Sequence, residues 1–363
     1  MLGLQHQQLT TAALIEDLAR RHGGSEIVSV RAEGDVHRMT YAQMAARARQ
    51  VAGALDALQL GAGELVATLA WNGHRHLELY FGTTASGRLL HPLNPQLRPE
   101  QLAWIIGQAR DSIVCFDMAF LPLIQAVHAR CPSAKTWVAL CHAQWLPANT
   151  GIPGLVAYED WIAGHSSSYL WPHLDENSAA TLCHTGGSSS HWRPVLHSHR
   201  STVLHTLASV LSETLPLSAG DSVLPVVPMA QVNAWGLPFA AAMVGAKLVF
   251  AAPGMDGKAI YQLIEDERVT LVLGVPQGWP TLLGHMCAHQ LRFSRLERVA
   301  IGGLSIPPGM LEALEKDYGF EVLAHWGSSE RIPSIKNEPQ IASSGNGGAT
   351  AFRSSRAMHI NCN

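Results

Sequence analysis

The sequence predicts an α/β fold of two stacked, doubly wound subdomains, and three observations predict it. Short runs that are apolar on both faces, such as 64–70 and 112–116, are each followed closely by a segment of helical spacing, as a buried parallel sheet requires. The alternation occurs twice, over 1–175 and again over 176–330, with a weakly periodic stretch between. The chain has 363 residues, of which 47% are hydrophobic and 15% charged, enough to bury one large core or two moderate ones.

Residues 9–21 read as the first helix, capped by Thr10 or Thr11, with Leu14, Ile15 and Leu18 at helical spacing. Runs 26–31 and 37–40 read as paired strands around the Gly34-Asp35 turn signal, and 41–58 returns to helix with Gly61 just past its end. Strand 64–70, helix 76–84, extended 89–93, helix 101–110, strand 112–116, helix 121–130 and strand 136–140 complete the first subdomain. Periodicity fades over 147–177, where Gly, Pro and Ser punctuate the chain and only 155–162 offers a helical turn. Beyond it come strand 179–183, a small-residue loop and helix 201–215. Strands at 222–227, 246–250, 270–275, 298–301 and 321–324 then alternate with helices at 234–244, 258–267, 278–289 and 308–318. The stretch 331–363, rich in Ser, Gly and Asn, has no sustained period and reads as mostly disordered.

The bulk charge excludes some classes of function. Twenty-five basic against 28 acidic residues give −3, so no global field gathers nucleic acid or an anionic membrane. The most apolar run, 234–246, contains Gly236 and Pro238 and falls short of the roughly 20 residues a membrane span needs. Six cysteines without a C-x-x-C pair or zinc spacing fit reduced thiols, and the N-terminus lacks a secretory pattern, so a cytoplasmic location is expected.

The stretch 181–200 is the strongest candidate for chemistry. A strand feeds the small residues Gly186 to Ser190, and a helix follows, a geometry that suits a polyphosphate. Glycines let backbone N–H groups approach anionic oxygens, serine hydroxyls add donors, and Arg193 can neutralise charge. The stretch lacks the Gly-Lys-Ser/Thr ending of a P-loop and contains no Gly-x-Ser-x-Gly elbow.

Several blocks in one register resemble the AMP-forming acyl-CoA synthetases, and within them the medium- and long-chain fatty-acid–CoA ligases. They are Thr181-Leu-Cys-x-Thr-x-Gly with Val195-Leu-x-Ser-His-Arg200, Pro228-Met-x-x-Val-Asn-Ala-Trp-Gly-Leu-Pro238, Gly274-Val-Pro276, Ile301-Gly-Gly303 and Trp326-Gly-x-x-Glu330. Ala70-Trp-Asn-Gly73, Arg75-His-Leu-Glu-Leu-Tyr80 and His91-Pro-Leu-Asn-Pro95 extend the likeness, which covers residues 1 to about 330. The resemblance implies the large N-terminal domain of an adenylate-forming enzyme. It also implies ATP, Mg²⁺ and coenzyme A acting with a fatty acid, and the homodimer common in that family.

The site residues follow from the same resemblance. Thr185, Gly187, Ser188, Ser189 and Ser190 would form the phosphate loop, assisted by Arg193. Trp326, followed by Gly327, would stack on adenine, with Gly302, Gly303 and Leu304 flanking the ring. Ser329 would touch the AMP phosphate and Glu330 would hold Mg²⁺. Val232, Asn233, Trp235 and Gly236 would line the acyl tunnel; on composition alone the same run reads as a buried helix.

The sequence also departs from the family's pattern. Its loop typically reads Thr-Ser-Gly-Thr-Thr-Gly-x-Pro-Lys-Gly, against Thr185-Gly-Gly-Ser-Ser-Ser-His-Trp-Arg-Pro194 here, with arginine for lysine and a proline that removes an N–H. Gln231 stands at a usual histidine, and nothing after Glu330 matches the ribose-binding Asp, the hinge or the lysine-bearing C-terminal domain. The expectation is therefore a truncated, impaired ligase. The alternatives are a non-catalytic nucleotide- or acyl-binding remnant, and a structural domain with no ligand.

Overall fold

The computed structural model describes residues 7–185, 192–211, 215–328 and 331–335. Threonine caps open the first two helices. The Thr10 hydroxyl accepts the Ala13 N–H at the start of α1 (Thr11–Arg21), and Thr40 forms a capping box with Gln43 at the start of α2 (Tyr41–Ala57). Between them β1 (Glu26–Val30) and β2 (Val36–Thr40) form an antiparallel hairpin. Strand and helix then alternate through β3 (Leu65–Leu69), α3 (His74–Ala85), β4 (Leu89–Pro92), α4 (Pro99–Ala109), β5 (Ile113–Phe116), α5 (Leu121–Val127) and β6 (Thr136–Ala139). The elements β7 (Leu155–Ala157), α6 (Tyr158–Ala163), β8 (Ala179–Thr185), β9 (Arg193–Ser198) and α7 (His199–Ser209) carry the chain across its middle.

Next come β10 (Ser222–Pro225), a short turn α8 (Val232–Trp235), α9 (Leu237–Val244), β11 (Lys247–Phe250), α10 (Gly257–Asp266) and β12 (Leu271–Gly274). The described chain closes with α11 (Trp279–Ala288), β13 (Arg298–Gly302), α12 (Pro308–Glu312), β14 (Glu321–Ser328) and β15 (Arg331–Ile335).

Two mixed sheets result. The seven-stranded sheet runs β7-β6-β5-β3-β4-β8-β9, parallel except for its β8–β9 edge. The eight-stranded sheet runs β15-β14-β13-β12-β10-β11-β1-β2, antiparallel only at its two edge pairs. The sheets interleave across residue 175, because β1 and β2 join the second and β8 and β9 the first. The largest core cluster lies between the sheets: Ile15 and Leu18 of α1, Leu77 and Phe81 of α3 and Phe239 of α9 meet Leu90 of β4, Leu248 of β11 and Leu271 of β12. The outer faces are covered by α4 and α5 on the first sheet and by α10 and α11 on the second.

Four features differ from the sequence reading. Residues 155–157 and 193–198 are strands, so the small-residue loop joins two antiparallel strands before α7 begins. The first five residues of the stretch read as disordered, Arg331–Ile335, pair with β14, while 336–363 lie outside the described residues. Helix 234–244 is broken, with a left-handed turn at its start. Finally, Cys115, Cys131, Cys141 and Cys183 are free and buried, but Cys287 is disulfide-bonded, so the expectation of reduced thiols fails there.

Candidate active site

The geometry begins on β8, whose alternating side chains serve opposite faces. Thr181 and Cys183 face the 228–236 segment: the Thr181 hydroxyl accepts from Asn233 Nδ2 at 3.3 Å, and Cys183 Sγ lies 3.8 Å from Asn233 Oδ1. Tyr80 of α3 donates from its hydroxyl to Met229 O at 2.6 Å and reaches Asn233 Oδ1 at 3.2 Å. Burial raises the Tyr80 hydroxyl well above its usual range and pushes the Cys183 thiol up to about 12, so both stay protonated at neutral pH.

These contacts hold a strained backbone. Val232, Asn233, Ala234 and Trp235 have φ of 48°, 53°, 47° and 56°, and Gly236 follows at 78°. The left-handed region costs an L-residue about 1–2 kcal/mol, so four in succession persist only where side chains over-determine them. The expected tunnel residues Val232, Asn233, Trp235 and Gly236 thus form a left-handed turn, which also displaces the reading of this run as an ordinary buried helix. Trp235 is buried, and a Cβ on Gly236 would meet the His205 ring at 2.6 Å.

Asn72, in the turn after β3, fastens this segment to the first sheet. Its Nδ2 donates to Pro225 O and Val227 O, each at 2.9 Å, and its Oδ1 accepts the Met229 N–H at 2.7 Å. Two open cavities flank Asn72, of about 230 and 330 Å³, and Trp71, Asn72 and Pro253 line both. The larger lies past the carboxyl ends of β10, β11 and β12, where ligands bind in open α/β sheets.

The 302–304 segment, expected to flank the adenine, approaches Gln231 at the start of the 232–236 turn. Gly302 pairs with His325, which places Trp326 and Gly327 one and two residues further along the neighbouring strand. Gly303 has φ 83°, and a Cβ there would lie 3.4 Å from Val275 Cγ1 and 4.0 Å from Gln231 Nε2. Leu304 is exposed. At the loop's mouth Thr185 pairs across the hairpin with Arg193, whose side chain is exposed, and Trp192 packs against the outer cluster of the first sheet. Gly187, Ser188, Ser189, Ser190, Ser329 and Glu330 lie outside the described residues. Among the described residues no group of three or more His, Cys, Asp or Glu is arranged to hold a metal ion.

The structure therefore joins the stem of the loop, the 231–236 turn and the 302–304 segment. Sequence reasoning left Asn72, Tyr80 and His205 without roles; the first two stood inside matching blocks, and that was the only signal for them.

Residues 15–351 match the family model described as AMP-binding enzyme, so the match runs past Glu330, where the sequence reading has the resemblance stop. The chain is 42% identical over 334 residues to a medium-chain-fatty-acid–CoA ligase of Ectopseudomonas oleovorans, covering 92% of this chain and 61% of that protein. It is also 42% identical over 334 residues to a 3-methylmercaptopropionyl-CoA ligase of Ruegeria lacuscaerulensis, covering 92% and 62%. The chain thus spans about three-fifths of the length of these relatives. Its fold is similar to an anthranilate CoA ligase solved with anthranoyl-AMP, with a TM-score of 0.78, 20% identity, and coverage of 90% of this chain and 61% of that one.

Proposed function

Because the chain belongs to the AMP-binding enzyme family, we propose that it carries the adenylate-forming site of an acid–CoA ligase. In this reading a fatty carboxylate attacks the α-phosphorus of ATP, giving an acyl-adenylate and pyrophosphate, and coenzyme A then displaces AMP to give a thioester. The observation that carries the reading is the meeting of three segments: Asn233 bonds Thr181 at the stem of the loop, and Gly303 stands against Gln231.

The chemistry suits such a site. An ionised carboxylate needs no general base, so the protein's task is to align two anions and supply donors to the charge that develops between them. In this reading Thr185 and residues 187–190 would supply donors to the phosphates, Arg193 and Ser329 would assist, and Gly302 to Leu304 with Trp326 and Gly327 would bracket the adenine. Mg²⁺ would be held by Glu330 together with phosphate oxygens, in keeping with its habit of binding through few carboxylates plus substrate phosphates. The strained turn at 232–236 orients the acyl chain.

A medium-chain acid is the first substrate to try, since the Ectopseudomonas relative is named for one; the Ruegeria relative, equally similar, is named for a smaller acid. We place the protein in the cytoplasm as a dimer of identical chains; among the described residues no helix is long and apolar enough to cross a membrane. A second reading, binding without turnover, is favoured by Arg193, the loop's one cation, which stands exposed and without an ion pair among the described residues. The test is incubation with a medium-chain fatty acid, ATP, Mg²⁺ and coenzyme A, measuring pyrophosphate and thioester. Both products support the first reading, and pyrophosphate alone restricts it to adenylation. Neither product, with thermal stabilisation by ATP, supports the second; neither product and no stabilisation overturns both.

A further inference from the structure

Directly before Thr185, the side chain of His184 turns to the face of β8 opposite Cys183, away from the 228–236 segment. There its Nδ1 lies 2.9 Å from Nε2 of His91 on β4. His91 Nδ1 in turn lies 2.9 and 3.0 Å from the two carboxylate oxygens of Asp111, just past α4. The His91 and Asp111 side chains are fully buried, and His91 is the one hydrogen-bond partner of the Asp111 carboxylate among the described residues.

With Asp111 ionised and His91 neutral, side-chain chemistry orders the hydrogens along this chain. Burial raises the Asp111 carboxyl and the His91 ring opposes that rise; with Asp111 as the carboxylate, which only accepts, and His91 neutral, the hydrogen between them sits on His91 Nδ1. A neutral imidazole with its hydrogen on Nδ1 can only accept at Nε2, so the hydrogen in the second contact sits on His184 Nδ1. Neutral His184 is then left with a bare Nε2, and among the described residues nothing bonds that atom. Burial and the neighbouring His91 push His184 down to about 4, which keeps it neutral at physiological pH.

We propose that Asp111, His91 and His184 form a hydrogen-ordered relay, fully buried at Asp111 and His91 and half-buried at His184, that positions the stem of the 186–192 loop, with His184 as the positioning residue. The consequence for nucleotide binding rests on the adenylate-site reading above; the relay itself does not. It joins β4 and the end of the next helix, α4, to β8, 93 residues on from His91. It acts on the residue next to Thr185, where a small rotation of β8 would be carried straight into the loop.

The test has one arm for the relay, one for positioning and one for the nucleotide. Histidine ¹⁵N shifts in the folded chain are expected to show His91 and His184 both with Nδ1–H and bare Nε2. In Asp111→Asn, where the charge holding the His91 hydrogen is gone, His184 is expected to move toward the Nε2–H form; a purely space-filling role would not alter the tautomer of a residue two contacts away. An Nε2–H His184 in the parent chain, or no change in Asp111→Asn, overturns the relay. For positioning, His184→Asn keeps a donor near the place of Nδ1, and His184→Gln moves it outward. Amide hydrogen exchange across 179–198 is expected to stay near the parent level in His184→Asn and to rise about tenfold in His184→Gln, the loss of roughly one hydrogen bond. Equal exchange in both variants overturns the positioning role. ATP affinity should follow the same split. If the parent chain binds no ATP, the adenylate-site reading fails, and the relay is still decided by the first two arms.

Discussion

Replacing Asn72 with Asp tests whether the two sheets are fastened at the place described. The side chains are nearly the same size, but the carboxylate cannot donate. Two hydrogen bonds, to Pro225 O and Val227 O, are lost, while the bond accepted from Met229 N–H survives. At about 1 kcal/mol for each net hydrogen bond, with a further penalty because two carbonyls now face a negative charge, the loss comes to about 3 kcal/mol. Asn72→Ala loses all three bonds but lets water reach the freed groups, so it should cost no more than Asp. Urea unfolding of the three chains measures this directly. An Asn72→Asp chain within about 0.5 kcal/mol of the parent would refute the fastening, since mutational effects of that size need no lost network.

Other predictions concern the turn and its surroundings. Gly236→Ala should destabilise the chain, by strain at φ 78° and by a Cβ that meets His205 at 2.6 Å, and thermal denaturation should show the lower midpoint. Tyr80→Phe removes the hydroxyl shared by Met229 O and Asn233 Oδ1 and should cost about 1–3 kcal/mol in urea while leaving far-UV circular dichroism unchanged. Acid should destabilise the fold through its buried histidines. His76, His199 and His205 are each pushed down to about 4 by burial, so their neutral forms belong to the folded state. Their contribution is complete above the unfolded value of about 6.5 and is lost as pH falls toward 4. Asp117, raised to about 7 by burial, acts in the opposite sense over part of that range, as do Glu78 and Asp111, which burial also raises, while His37, His74 and His184, lowered by burial, add to the histidine effect. Urea midpoints should therefore fall between about pH 7.5 and about pH 5, and a flat or rising midpoint would contradict the assignment.

What could be read from the sequence was local. Thr10 announces its helix because a cap and its partner lie three residues apart, and the central strands announce themselves by apolar runs. β9 could not be read this way: Arg193-Pro194 looks like loop, and a proline is tolerated there because β9 is an edge strand. The left-handed turn at 232–235 contains no glycine and carries the spacing of a helix; Tyr80, 153 residues from Asn233, helps to hold it. Strand partnership was equally non-local, since nothing in 26–40 indicates that β1 pairs with β11. Of the site, the blocks were visible but not their junctions. The bond between Asn233 and Thr181, and the chain from Asp111 to His184, join residues that only the packed sheets bring within reach.

The most direct test of the central claim is calorimetric titration of the folded chain with a non-hydrolysable medium-chain acyl-adenylate analogue. Such a ligand fills the nucleotide and acyl segments together and needs no turnover. The account predicts one saturable site per chain with micromolar or tighter affinity, weakened by Gly303→Val, which would place a branched side chain against Val275 and Gln231. A chain that is folded by circular dichroism yet gives no saturable heat would contradict it.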